Sequence, residues 1–149
     1  MRMTQQECIF LNKLLTSLIK KGKKDSALKI VLLVLKNLKT NNKIKDISPL
    51  NIIYTGLKNV RPLLHIQKVR KSSKVFYLPK IISTQKKMKI ALQWIIKSVN
   101  SRKENNLEDR LSNEFLDCYN RKGLSIGKKR SLYETIASNR PFLNLLVYK

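Results

Sequence analysis

Glycine, alanine and acidic residues are all scarce in this chain. Its 149 residues include four glycines and three alanines, which leaves no glycine-rich loop of the kind that cradles a nucleotide phosphate. The one histidine, His65, lies in a run of β-formers, and no nucleophile–base pattern surrounds it. The two cysteines, Cys8 and Cys118, are far apart and lack metal-ligand spacing. They read as small core hydrophobes in a reducing compartment. Long apolar runs are missing too. Cys8-Ile9-Phe10-Leu11 is interrupted by Asn12 and Lys13, too soon for a signal peptide or a membrane span. The same segment lacks the Arg- and Ser-rich character of a transit peptide. The expectation is a protein that is not an enzyme, with no cofactor and no metal site.

The largest deficit is in negative charge. Nine Asp and Glu stand against 32 Lys and Arg, for a net charge of +23. A compact domain with this balance repels itself unless a polyanion offsets it. Nucleic acid is the commonest such polyanion, and an anionic membrane surface is the second class. The chain is also rich in Lys, Ile and Asn (24, 15 and 13 residues), as a gene rich in A and T would make it. That bias does not explain the shortage of Asp and Glu, whose codons tolerate it equally. It does point to an organelle or a parasite genome. With 42% hydrophobic residues the chain is too apolar for a disordered tail, and its length fits one domain, 1–149.

Hydrophobic spacing predicts a mainly α fold. A first helix runs from about Gln6 to Lys21 through Phe10, Leu14, Leu15 and Leu18, and Gly22 follows it. A second starts with Asp25 or Ser26 as N-cap and buries Ala27, Ile30, Val31, Val34, Leu35 and Leu38. Lys39 to Lys45 reads as a polar loop. Ser48-Pro49 opens a short helix to about Asn59. Leu64–Arg70 and Lys74–Leu78 then read as a β-hairpin, closed by Pro79. Helical spacing returns from Thr84 to Val99 and from Leu107 to Asn120, and once more from near Ser131, where Pro141 ends or kinks the last helix.

The charges are unevenly distributed. From Ile47 to Lys103 there are thirteen basic residues and no acid. A merely solvated face mixes both signs, so this stretch points to phosphate contact. Downstream, Glu104, Glu108, Asp109, Glu114 and Asp117 are spaced to pair with Arg110 and Arg121 along a helix rather than to form a catalytic carboxylate site.

Four ordered segments resemble the ribosomal protein seven family of the small subunit. They are the Gly22-Lys23-Lys24 turn; Asn59-Val60-Arg61-Pro62 with Val75-Phe76-Tyr77-Leu78-Pro79 around the hairpin; Ala91-Leu92-Gln93-Trp94-Ile95; and a C-terminal set. The last comprises Glu114-Phe115-Leu116-Asp117, Lys128-Lys129-Arg130 and Ala137-Ser138-Asn139-Arg140-Pro141-Phe142. The resemblance covers about Phe10 to Tyr148. It implies a single-domain helical bundle of about six helices with a protruding hairpin at about 63–79. It also implies binding to the 3′ major domain of small-subunit ribosomal RNA and a part in nucleating assembly of the subunit head. Exit-site transfer RNA and messenger RNA would lie near the hairpin, with head and platform proteins as neighbours.

Departures from the family pattern are the near-absent basic N-terminal arm, Ser72-Ser73 where two glycines are usual, Gln93 in place of Arg and Pro141 in place of Ala. Together with the A/T-rich composition and the missing transit peptide, they suit a protein encoded in a mitochondrion, with a plastid as second choice.

The residues expected to meet RNA are Lys20, Lys21, Lys23 and Lys24 at the turn, and Arg61, Lys68, Arg70, Lys71 and Lys74 at the hairpin. Lys128, Lys129 and Arg130 would approach through a helix N-terminus. Arg140 completes the set by resemblance. Trp94 is expected in the core rather than as a stacking platform. A nucleoid or general RNA-binding protein of an organelle is the competing reading from charge alone, and a membrane-surface protein is the other rival.

Overall fold

The computed structural model describes residues 5–40, 47–71 and 73–141; the side chains of residues 5–8 and of Lys71 lie outside the description. Its elements, in chain order, are α1 (Gln5–Leu18), α2 (Lys24–Thr40), α3 (Pro49–Val60), β1 (Leu64–Lys71), β2 (Lys74–Ile81), α4 (Thr84–Asn100), α5 (Leu107–Tyr119) and α6 (Leu124–Ser138). The mainly α architecture with one antiparallel hairpin is the one the spacing predicts.

Helix α5 sits at the centre of the packing, against α2, α3 and α4. Its buried Leu111, Phe115 and Cys118 meet Ile52, Ile53, Leu57 and Val60 of α3, Val34 and Leu38 of α2, and Ala91, Ile95 and Val99 of α4. Phe10 and Leu14 of α1 join the same cluster. Gly56 sets the α3–α5 approach. A Cβ there would lie 3.1 Å from the Phe115 carbonyl oxygen and 3.3 Å from Cys118 Cβ, so a larger residue would push the two helices apart. Trp94 is half-buried against the cluster, as expected of a core residue. The side chain of Cys8 lies outside those described.

Local chemistry sets several boundaries. Ser48 caps α3, its hydroxyl oxygen accepting from the Asn51 amide at 3.3 Å with Pro49 as first helical residue. The helix stops at Val60 because Arg61 precedes Pro62 and takes an extended backbone, φ −52° and ψ 123°.

Other boundaries differ from the expectation. Helix α1 ends at Leu18, leaving Lys20 and Lys21 in the turn, and α2 begins at Lys24, so Asp25 is a first-turn acid rather than the cap. Part of the expected loop from Lys39 is helical, since α2 reaches Thr40; 41–46 lie outside the described residues. Strand β2 runs through Pro79 to Ile81, with Pro79 opposite Ile66. In a two-stranded ribbon alternate amides point away from the partner, so proline's missing N–H need cost no ladder bond. Helix α6 starts at Leu124, well before Ser131. Among the described residues the hairpin's backbone comes nearest the helices at α6.

Candidate nucleic-acid interface

The first basic group is the α1–α2 turn. Lys21 (φ 52°) and Gly22 (φ 74°) are both left-handed, and the Lys23 amide closes the turn on the Lys20 carbonyl at 3.1 Å. A Cβ on Gly22 would meet nothing within 4 Å, so backbone conformation alone calls for glycine there. The turn presents Lys20, Lys21, Lys23 and Lys24 together, all exposed.

The second group is larger and only partly legible in the sequence. Lys68, Arg70 and Lys74 are exposed on the hairpin; the side chain of Lys71 lies outside those described. At its base the hairpin forms an open groove of about 730 Å³ with α4, whose cations are Lys68, Lys80, Lys86 and Lys89. A further groove of about 510 Å³ between α1 and α4 carries Lys13 and Lys89. Lys89 and Gln93 line both, so the outer face of α4 is a wall shared by two basic grooves. Among the described residues no acid lines either. All of these lysines but Lys13 fall within the acid-free stretch, but nothing local singles them out. The helical spacing of 86, 89 and 93 was the available signal; which face lay outward was not.

The third group needs correction. Lys128, Lys129 and Arg130 do not stand at a helix N-terminus, because α6 begins at Leu124. The Ser125 amide in its first turn is already taken by Glu114 of α5, at 3.2 Å. Lys128 donates to the Ser98 hydroxyl at 3.0 Å and to the Trp94 carbonyl at 3.4 Å, and Lys129 donates to the Asn59 carbonyl at 2.5 Å. These two lysines tie α6 to α4 and to the end of α3. Burial lowers the pKa of each; for Lys128 the Glu114 charge works the other way, and for Lys129 the Arg121 charge lowers it further. Arg130 and Arg140 remain accessible at the surface, and Arg61 is half-buried at the end of α3. An open cleft of about 550 Å³ gathers Lys58, Arg121, Lys129 and Arg130 beside Asn59 and Tyr133. Lys58 and Arg121 lay outside the sequence-based set.

Three acids of the C-terminal half, one of them buried, share a partner the sequence did not identify. Arg102, just beyond α4, pairs with Glu114 (Nε to Oε2, 3.2 Å), with Asp117 and, at 3.9 Å, with Glu104. Arg110, expected to pair with an acid, instead donates to the Glu104 and Asn105 carbonyls, and Arg121 is exposed. Glu114 is fully buried. Its Oε1 accepts from the Ser125 amide and, at 2.5 Å, from the Ser125 hydroxyl. The chain's own N–H and the Asn113 amide hold the Glu104 carboxyl below the usual range, with help from Arg102 and Arg110. Asp109 accepts from Asn37 of α2 at 2.8 Å. Burial first, and then the Glu114 charge, push the Cys118 thiol up to about 12, leaving it an unreactive core group. Among the described residues these carboxylates form their ion pairs with Arg102, and none with the lysines of α4, the hairpin or the Gly22 turn. No helix among the described residues is long and apolar enough to cross a membrane.

A helical bundle with a two-stranded ribbon and unneutralised basic grooves is the arrangement of a polyanion-binding protein. The profile of the family described as ribosomal protein S7p/S5e matches residues 2–140, and the chain belongs to that family. Among similar proteins, the small ribosomal subunit protein uS7c of Tetradesmus obliquus is 32% identical over 91% of this chain and 80% of its own length. The uS7m protein of Reclinomonas americana is 30% identical over 92% of this chain and 87% of its own. The uS7 protein of Acidiphilium cryptum is 28% identical over 90% and 84%.

Proposed function

We propose that this chain is a structural constituent of the small ribosomal subunit that holds ribosomal RNA by its phosphates. Within the family, the observation that carries this reading is the pair of grooves sharing the Lys89–Gln93 wall, lined among the described residues by lysines and no acid. The RNA is the 3′ major domain of the small-subunit ribosomal RNA, and binding nucleates the subunit head. The hairpin reaches toward exit-site transfer RNA and messenger RNA, with head and platform proteins as neighbours. The Gly22 turn and Arg130 supply further phosphate contacts, while Lys128 and Lys129 serve chiefly to seat α6. The compartment is a mitochondrion. Its support is the Lys-, Ile- and Asn-rich composition and the likeness to a uS7m protein. The role is structural rather than catalytic.

Sedimentation of a native organellar extract tests this directly, and the chain should co-migrate with the small subunit. A nucleoid protein would instead follow DNA and survive ribonuclease treatment in its complex. Lys23→Glu with Lys24→Glu should leave the fold intact, since both side chains are exposed. The double variant should reduce the salt dependence of RNA binding by about 0.7–0.9 in slope for each phosphate that is no longer neutralised. Wild-type affinity and slope would show these two lysines to be merely solvated.

A further inference from the structure

The two faces of the hairpin are used differently. Directly opposed residues of an antiparallel pair share a face. In the half of the hairpin nearer the tip, the side holding Val69, Phe76 and Leu78 is the better covered; Leu78 is 2% exposed, and Val69 and Phe76 are half-buried where Val75 and Tyr77 are exposed. On the opposite face Lys68 stands across from Tyr77 and Arg70 across from Val75. There Tyr77 is 39% and Val75 50% exposed, and both cations reach solvent. The Lys68 ammonium lies 5.7 Å from the centre of the Tyr77 ring.

From this juxtaposition we propose that Tyr77 is a stacking platform for an unpaired nucleotide base, with Lys68 and Arg70 holding the adjoining phosphates. The proposal rests on the reading of the chain as an RNA-binding protein and names what one surface of it takes. An exposed ring beside two cations suits a nucleotide, which presents a flat apolar base and an anion together. Lys68 and Arg70 are two residues apart on one face, about 7 Å along the strand, so Lys68 stands across from the ring and Arg70 one register position diagonal to it. In the free protein the ammonium rests over the electron-rich ring face. A bound nucleotide gives the lysine a phosphate and the ring a base. The ligand must be single-stranded or looped, because the bases of an A-form helix are already stacked on one another. Trp94, half-buried against the core, is not available for this role.

The test uses the full chain with short oligouridine, an abasic ribose–phosphate oligomer of equal length, and duplex RNA. The wild-type protein should bind oligouridine about tenfold more tightly than the abasic oligomer. Tyr77→Phe should keep that preference. Tyr77→Ala and Tyr77→Leu should lose it while retaining the salt slope, since no cation is removed. If Tyr77→Leu keeps the preference, or the wild type has none, the stacking site does not exist and the face is apolar cover for a neighbouring protein. Failure here is distinguishable from failure of the RNA reading. In the first case salt-dependent binding of all three polyanions survives, and in the second it is absent from the wild type.

Discussion

Glu114→Ala is expected to destabilise the protein by about 3–5 kcal/mol, the usual cost of removing one partner of a buried ion pair. For a chain of this size that lowers Tm by on the order of 10 °C. Three consequences add up. Arg102, largely buried, loses its ion pair to Glu114 Oε2. The Ser125 amide and hydroxyl lose their acceptor, so α6 loses the cap that starts it. A cavity opens beside Cys118 and Ser125. Glu114→Gln keeps an oxygen for Ser125 and should be milder. Arg102→Met combined with Glu114→Leu should recover only the part due to an unpaired Arg102, because the buried Ser125 would still lack its acceptor. Thermal melts at fixed salt measure all of these. An alanine variant melting within a degree or two of wild type would mean that the ion pair and cap contribute almost nothing.

Lys86→Ala with Lys89→Ala should have the largest effect on RNA binding of any exposed pair. Both side chains are exposed, so the fold should not change. Both line the hairpin–α4 groove, and Lys89 also lines the α1–α4 groove. If each neutralises one phosphate, the salt slope falls by roughly 1.6 and affinity by roughly fortyfold at about 0.1 M salt. Lys29→Ala with Lys36→Ala removes as much charge from α2, at exposed positions lining neither groove. That control should affect binding far less. Equal effects from the two pairs would mean that total charge, and not the grooves, sets affinity.

The sequence by itself determined the elements whose signals are local. The stripe from Ala27 to Leu38 repeats at helical spacing, and Ser48-Pro49 carries its own cap and first-turn residue. The β-formers on either side of Ser72-Ser73 pair across a few residues, so their register needed little from the rest of the chain. The net charge of +23 and the acid-free stretch were likewise countable before any fold was known. They indicated a polyanion as partner.

Tertiary structure decided what depends on residues distant in sequence. The start of α6 could not be read locally, because its acceptor is a carboxylate on α5, eleven positions earlier in the chain. The partner of Glu114 and Asp117 is Arg102, which precedes the helix rather than lying on it, so helical i,i+4 spacing pointed to other arginines. Lys128 and Lys129 looked like free cations until packing placed the carbonyls of Trp94 and Asn59 within their reach. The α4 grooves follow the same rule. A helix's sequence shows that Lys86 and Lys89 are neighbours, but only the docking of α1 and the hairpin beside it turns that surface into walled grooves. Charge is additive along a chain and can be counted; which charges remain unneutralised depends on what the fold brings within a few ångströms of each.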